Sequence, residues 1–346
     1  MTTKAACFAL NRKQYLYYYR KELIMRGNKI MALVWIILAL CLTGLLTFKI
    51  GASSRGGMGK AHFHLGGNNI SFIPGTCPLL ETKEFSVSEI DSLDLELSRE
   101  TIWIQKTNDK KVTVELYCPK EYKPKVQVTG KTLEIESQKL INIMNAKEWK
   151  VVVYIPNNMK LKDIDINHAS GSNHLEDIQC NSIDLRSASG SVHLTNILGD
   201  NVKIASASGS VHFSDCDIDD VEIGVASGST SIDNINAKKI EIASASGSVK
   251  INGKYDSFSI HSNSGSITIN DEKAPSDDCE IKSTSGSIKL TIPENSGFVS
   301  NYNLTSGNYH NSITKSEGKK GSEIVNGGGP TINFKATSGS IHVYGN

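Results

Sequence analysis

Three histidines recur at a fixed interval in this sequence. His174, His193 and His212 are nineteen residues apart, and each stands three residues after a Ser-Gly pair. If nineteen residues make one turn of a coil, the three imidazoles lie on one outward face, about 4.8 Å apart. Such a row could bind zinc or copper, or change its charge at a pH of about 6.5. The same column continues with residues typical of a solvated face, Ser231, Lys250, Thr268 and Lys289. We therefore predict no metal site, with the three histidines as the only candidates.

A stretch of alternating acids forms a second candidate site. The sequence "SDCDIDD" contains the carboxylates Asp215, Asp217, Asp219 and Asp220. A calcium-binding loop of this kind needs a glycine at its sixth position and a glutamate at its twelfth. Asp220 and Ala226 occupy those two positions. A solvated acidic turn is the simpler interpretation.

A column of acids also precedes the Ser-Gly pairs. The carboxylates that stand six residues before a glycine are Asp165, Asp184, Glu222, Glu241 and Glu280. Paired carboxylates on the outside of a coil could cleave a glycan by general acid and base catalysis. A charged, solvent-facing column explains the same pattern without catalysis. We predict no catalytic residue and no enzyme activity.

A repeated set of nine Ser-Gly dipeptides indicates the architecture that would hold these side chains. Their glycines are Gly171, Gly190, Gly209, Gly228, Gly247, Gly265, Gly286, Gly307 and Gly339. A phosphate-binding loop would be followed by a helix, whereas most of these glycines precede short runs rich in β-branched residues. A flexible linker has no reason to keep a period of nineteen residues through five glycines. A fixed period of this length is typical of solenoids.

The apolar residues around each glycine predict strands and corners. Around Gly190, Ile183 and Leu185 stand seven and five residues before it, and Val192 and Leu194 two and four after it. The inward-facing phase therefore flips across the glycine, which a continuous strand cannot do but a bend or bulge can. A second corner is predicted at the next apolar position, Ile178, Ile197, Cys216 and Ile235. The fold class is therefore all-β, a single-stranded parallel β-helix over 164–346 with rungs of about nineteen residues.

The flanks of the repeat are less regular. Residues 62–163 contain alternating stretches such as "KVTVELY" and "WKVVVYIP", which predict an N-terminal β portion that either caps the solenoid or forms degenerate rungs. The pattern is weakest around Gly307, and the segment near 312–330 predicts a loop insertion. The seven cysteines include no CxxC pair, so no zinc ribbon is expected. Five of them follow the tether, and this odd number argues against a disulfide framework.

The N-terminus predicts a membrane anchor. Residues 30–48 are nineteen consecutive uncharged residues, enough for a transmembrane helix. Seven basic residues and one acid precede this segment, which places the leader 1–29 in the cytoplasm and everything after the tether 49–61 outside. Two alternatives stay open, namely cleavage of the segment as a signal peptide and translation from Met25.

One known family shares this combination of features. A strand-rich lead-in that ends in "WKVVVYIPNNMKLKDIDINHASGS", followed by units of the form I-x-[IL]-x-S-x-S-G-S-[VI]-x-[ILF], resembles the bacterial "putative adhesin" family over roughly 85–346. This is a domain of unknown function with β-strand repeats, common in Gram-positive envelopes. The resemblance implies a right-handed β-helix outside the membrane and a link to envelope stress. It implies no catalytic residues, and the irregular Gly307 rung departs from the family pattern.

These features predict a single-pass cell-envelope surface protein for adhesion or for binding of envelope glycans or proteins. The alternatives are a glycan-active lyase or hydrolase, for which Asp184, Glu222 and Glu241 are the residues to substitute, and a purely structural spacer. A net charge of +1 argues against nucleic acid as a partner. No cofactor is expected, the membrane is contacted through the N-terminal helix, and no oligomeric state is predicted.

Overall fold

The computed structural model describes residues 76–137 and 147–346. These residues form one 24-stranded sheet and two short 3-10 helices, Val87–Glu89 and Lys120–Tyr122. The predicted leader, membrane helix and tether over 1–61 lie outside the described residues. Within the two described ranges, no helix has the length and apolar character needed to cross a membrane.

The strands fall into three groups along the chain. The N-terminal group is β1 (Glu81–Ser86), β2 (Ser92–Leu97), β3 (Thr101–Thr107), β4 (Lys111–Tyr117), β5 (Lys125–Thr129), β6 (Thr132–Glu136) and β7 (Lys150–Pro156). The central group is β8 (Leu161–His168), β9 (Asn173–Glu176), β10 (Gln179–Ser189), β11 (Val192–Thr195), β12 (Leu198–Ser208), β13 (Val211–Ser227), β14 (Thr230–Ser246), β15 (Val249–Ser264), β16 (Ile267–Asp271), β17 (Cys279–Ser285) and β18 (Ile288–Ile292). The C-terminal group is β19 (Phe298–Ser306), β20 (Tyr309–Asn311), β21 (Ser316–Gly318), β22 (Lys320–Val325), β23 (Thr331–Ser338) and β24 (Ile341–Gly345).

The central strands stack in parallel, one repeat above the next. Equivalent inward residues pair from rung to rung in the order Ile164, Ile183, Val202, Val221, Ile240 and Phe258. Each of these side chains is at most 2% exposed. Burial of one such side chain contributes about 1.5–3 kcal/mol, and only a neighbouring rung can supply that burial. The all-β prediction is confirmed, and the architecture is a solenoid.

The last rung along the chain is not the last rung in space. Strands β23 and β24 pair in parallel with β17 and β18 on one side and with β19 and β20 on the other. Along the solenoid the Gly339 rung therefore follows the Gly286 rung, and the Gly307 rung comes last. Segment 312–330, for which the sequence predicts a loop, contains β21 and β22, which pair antiparallel with β20 and β19. Repeat spacing could not indicate this order, because strand pairing depends on which backbone edge is free and not on sequence distance.

The N-terminal end of the solenoid has a similar arrangement. Strands β2 and β3 lie between β6 and β7 on one side and β8 and β9 on the other, all in parallel. Strands β1, β4 and β5 add antiparallel pairs at this end. Strands β1 to β7 therefore supply two rungs together with an antiparallel edge.

The interior of the coil contains a buried carboxylate. Asp271 is 0% exposed, and its Oδ1 accepts the backbone N–H of Lys273 at 3.1 Å. Neither its Oδ2 nor the hydroxyl of the buried Tyr255 has a hydrogen-bond partner among the described residues. Burial is the main cause that raises the pKa of Asp271 from 3.8 to about 7. The carboxyl group of Asp271 is therefore poised to lose its proton close to neutral pH.

We expect the Asp271→Asn variant to be more stable than the wild type above pH 7 and equally stable near pH 4. The native state holds this proton up to a higher pH than the unfolded chain does, so stability is lost as the pH rises from about 4 to about 7. The shift of about three units corresponds to about 4 kcal/mol. Urea denaturation of both proteins at pH 4.5 and pH 8 measures this difference. The exposed Asp277 provides the control Asp277→Asn. An equal effect of Asp271→Asn at both pH values would contradict the prediction.

Candidate functional site

The nine repeat glycines form one column along the solenoid. Their φ angles lie between 96° and 136°, a region that other residues rarely adopt. A Cβ on Gly228 would lie 2.2 Å from the carbonyl oxygen of Gly209, and a Cβ on Gly190 only 1.9 Å from that of Gly171. Glycine is required at the corner for two reasons. The backbone conformation has a positive φ, and the neighbouring rung approaches too closely for a Cβ.

The serines of the S-x-S-G-S corner have separate roles. The first serine is buried, and its hydroxyl donates back to the corner, as Ser187 does to the carbonyl of Ser189 at 3.2 Å and Ser283 to that of Gly286 at 3.1 Å. The serines directly before and after the glycine point outward. We call the serines directly after the glycines the outer serine column. Its members are Ser172, Ser191, Ser210, Ser229, Ser248, Ser266, Ser287 and Ser340. The sequence indicated a corner here but not this division of roles.

The second corner is built by Asp and Asn residues. Asp177, Asn196, Asp215 and Asn234 have φ angles between 52° and 60°, the left-handed region that Asn and Asp tolerate best. Each stands six residues after a repeat glycine, directly before the apolar residue at which the sequence predicted this corner. The amide of Asn234 donates to the carboxylate of Asp215 at 2.6 Å across neighbouring rungs. The recurrence of Asn or Asp at this position was the signal available in the sequence.

The acids of the "SDCDIDD" stretch do not converge on a common point. Asp215 accepts the amide of Asn234, and Asp217 accepts that of Asn236 at 3.1 Å. Asp219 pairs with the ammonium of Lys238 at 2.7 Å. Each of these carboxylates is bound to the rung that follows it.

The acidic column before the glycines is largely paired with bases. Asp184 pairs with Arg186, Glu222 with Lys203 and Glu241 with Lys239. Although burial raises the pKa of Glu280, hydrogen bonds from His261 and Lys282 outweigh it and lower that pKa to about 2.

Asp165 differs from the other acids of this column. It lies in the rung next to Asp184. Burial and, after it, the negative charge of Asp184 raise the pKa of Asp165. Asp165 is thus the acid of this column whose pKa is raised, whereas that of Glu280 is lowered.

The three candidate histidines form a stack that also includes a tryptophan. The ring centroids of His174 and His193 are 4.8 Å apart and those of His193 and His212 are 4.9 Å apart, with interplanar angles of 2° and 11°. Trp103 of β3 stacks on His174 at 4.1 Å. We call Trp103, His174, His193 and His212 the ring stack. The repeat pattern contains no signal for Trp103, because this residue lies outside the repeat and only the β3–β9 pairing brings it to His174.

Two of the stacked imidazoles, His174 and His193, favour the neutral state. Partial burial, followed by the charge of His193, lowers the pKa of His174. Partial burial, followed by the charge of His212, lowers the pKa of His193. The three rings meet face to face, and their side chains are partly exposed. Among the described residues, no group of three His, Cys, Asp or Glu side chains is arranged to hold a metal ion.

Comparisons with known proteins show one family match. The family model described as Toastrack DUF4097 matches residues 90–344. No curated protein is significantly similar to the chain.

Several solved structures are similar at low identity. A "putative adhesin" from Parabacteroides distasonis is 13% identical with a TM-score of 0.49, covering 78% of this chain and 100% of that one. A "putative adhesin" from Bacteroides fragilis is 17% identical with a TM-score of 0.47, covering 78% and 99%. A "putative cell adhesion protein" from Clostridium sporogenes is 13% identical with a TM-score of 0.22, covering 77% and 98%. Because the family model covers most of its length, this chain belongs to the Toastrack DUF4097 family.

Proposed function

We propose that this protein is a membrane-anchored surface protein whose solenoid binds a repetitive polymer of the cell envelope without turning it over. In this proposal residues 30–48 form the anchor, the N-terminus is cytoplasmic, and the parallel β-helix stands outside the cell. Cell-wall glycan is the proposed polymer. Adhesion, or the sensing of envelope stress, is the role that such binding would serve.

The outer serine column is the observation that carries this proposal. Its hydroxyls follow one another from rung to rung, since the strands that begin directly after these serines pair in register. Neighbouring rungs in such a sheet are about 4.8 Å apart. Ser229, Ser248, Ser266 and Ser287 are exposed. A polymer that repeats its own hydroxyls and amides can make the same weak contact at many rungs, and these contacts add up to useful avidity.

We expect the triple variant Ser229→Ala, Ser248→Ala, Ser266→Ala to lose binding to purified cell walls. Removal of three neighbouring contacts should weaken binding at least about tenfold, because avidity multiplies the single contacts. Co-sedimentation of the protein with cell walls measures the change.

A control triple variant changes three exposed residues of another column, Gln179→Ala, Leu198→Ala and Asn236→Ala. It should bind like the wild type, and unfolding curves should show that both variants are folded. The proposal fails if the wild type does not co-sediment with cell walls, or if the serine variant binds as well as the control.

A further inference from the structure

The ring stack ends on the solenoid surface at His212. Its next neighbour in the column is Ser231, which pairs with His212 in the following rung, and after it comes Lys250. Among the described residues, His193 is the only ring that stacks on His212. The second face of the imidazole therefore lies next to a small side chain.

Ser231 leaves room for a ring between its two neighbours. The His212 and Lys250 levels are two rungs apart, about 9–10 Å at the usual strand spacing. Aromatic rings stack with centroids about 4.5–7 Å apart, so one planar ring fits at the Ser231 level and continues the stack. Ser231 is partly buried and Lys250 is exposed, so solvent reaches this position.

Lys250 supplies a positive charge beside this position. Among the described residues its ammonium has no ion-pair partner. The nearby Asp233 accepts the amide of Asn252 at 2.9 Å, so part of its hydrogen-bonding capacity is used within the protein. A ligand that stacks on His212 would therefore bind most tightly if it carried a negative substituent directed towards Lys250.

At another point of this column, one aromatic ring of the protein itself contacts both a histidine and a lysine. At the far end of the same column, Lys289 is followed by His342 in the next rung. The ring of Tyr344 stacks against His342 at 6.2 Å with an interplanar angle of 16°, and the ammonium of Lys289 lies 5.1 Å from the centre of that ring. Tyr344 lies beside His342 on the same strand, so these contacts show that a histidine and a lysine of this column can share one aromatic ring.

We propose that the free face of His212, above Ser231 and beside Lys250, binds a planar aromatic carboxylate. The ring stacks on the imidazole and continues the ring stack. The carboxylate pairs with the ammonium of Lys250. This site goes beyond the proposed function, because it requires neither a cell-wall partner nor the outer serine column.

The test uses 2-naphthoate as the probe and the uncharged 2-naphthamide for comparison, with the full-length protein. Titrations followed by the fluorescence of the probe give the two dissociation constants. We expect 2-naphthoate to bind at least about tenfold more tightly than 2-naphthamide, because only 2-naphthoate can pair with Lys250. Lys250→Gln should remove this preference, whereas Lys254→Gln, at an exposed lysine of another column, should keep it.

Two variants test the stacking part of the site. Ser231→Leu fills the position and should weaken binding of both probes at least about tenfold, and His212→Ser removes the ring face with the same result. Ser231→Ala, which leaves the position open, should bind like the wild type and serves as the matched control. The proposal is overturned if 2-naphthoate does not bind at millimolar concentration, or if Ser231→Leu and Ser231→Ala bind it equally well. Unfolding midpoints confirm that each variant is folded.

Discussion

A chain that lacks residues 331–346 is expected to lose cooperative folding of its C-terminal third. In an ordinary solenoid the last repeat can be removed at the expense of one interface. Here the deleted strands β23 and β24 lie between two other rungs, so their removal breaks two interfaces at once. The deleted inward side chains include Ile332, Phe334, Ile341 and Val343, each at most 2% exposed. At about 1.5–3 kcal/mol each, they contribute an amount comparable to the whole stability of a typical domain.

Hydrogen exchange and urea denaturation measure this effect. In the intact protein the amides of β23 and β24 should exchange as slowly as those of β17 and β18, although they lie next to the chain terminus. In the truncated protein the amides of β19 and β20 should lose their protection.

A second truncation, after residue 292, is the matched control. It removes more of the chain but leaves a continuous stack up to the Gly286 rung, so it should unfold with a sharper transition than the shorter deletion. If the shorter deletion keeps native protection in β19 and β20, the Gly307 rung can dock directly on β17 and β18. The internal position of β23 and β24 would then not matter for stability.

The Gly228→Ala variant is expected to be destabilised by about 4 kcal/mol. The φ angle of +136° at this position is strained for any residue with a Cβ, which costs about 1–3 kcal/mol. The added Cβ would also lie 2.2 Å from the carbonyl oxygen of Gly209, so the two rungs must move apart. Such a displacement disturbs the parallel hydrogen bonds on both sides of the corner, and the resulting total is among the larger effects of single substitutions.

Gly130→Ala is the matched control for this prediction. Gly130 also has a positive φ of 63°, but a Cβ there would meet no atom within 4 Å. Its replacement should cost only about 1–2 kcal/mol, the usual cost of the left-handed conformation. Urea denaturation of the two variants and the wild type gives both values. Equal losses in the two variants would mean that the stacking of the glycine column adds nothing to the conformational effect.

The glycine column explains why the most frequent motif of the sequence is a structural feature. The S-x-S-G-S corner uses its first serine and its glycine to turn the chain, as Ser283 and Gly286 do. Only the exposed serines beside the glycine are free to meet a partner. The candidate sites therefore lie on the outward columns, in the outer serine column and at the end of the ring stack.

The sequence by itself determined the rungs of this protein. Apolar alternation and the nineteen-residue period identified the inward residues, the glycine corners and the histidine column correctly in position. This succeeded because parallel stacking copies one register from rung to rung, so that sequence spacing becomes spatial alignment. Ile183 and Val202, for example, are one period apart and are paired neighbours in the sheet.

Only the tertiary structure decided which rungs are neighbours at the two ends. The positions of β2 and β23 inside the stack depend on which strand edges remain free. The repeat period in the sequence contains no information about those edges. The same is true of the ring stack, since Trp103 reaches His174 through pairing of strands that are distant in the sequence. Periodicity describes contacts between consecutive turns, whereas the ends of the solenoid and its candidate binding sites depend on contacts between turns that are not consecutive.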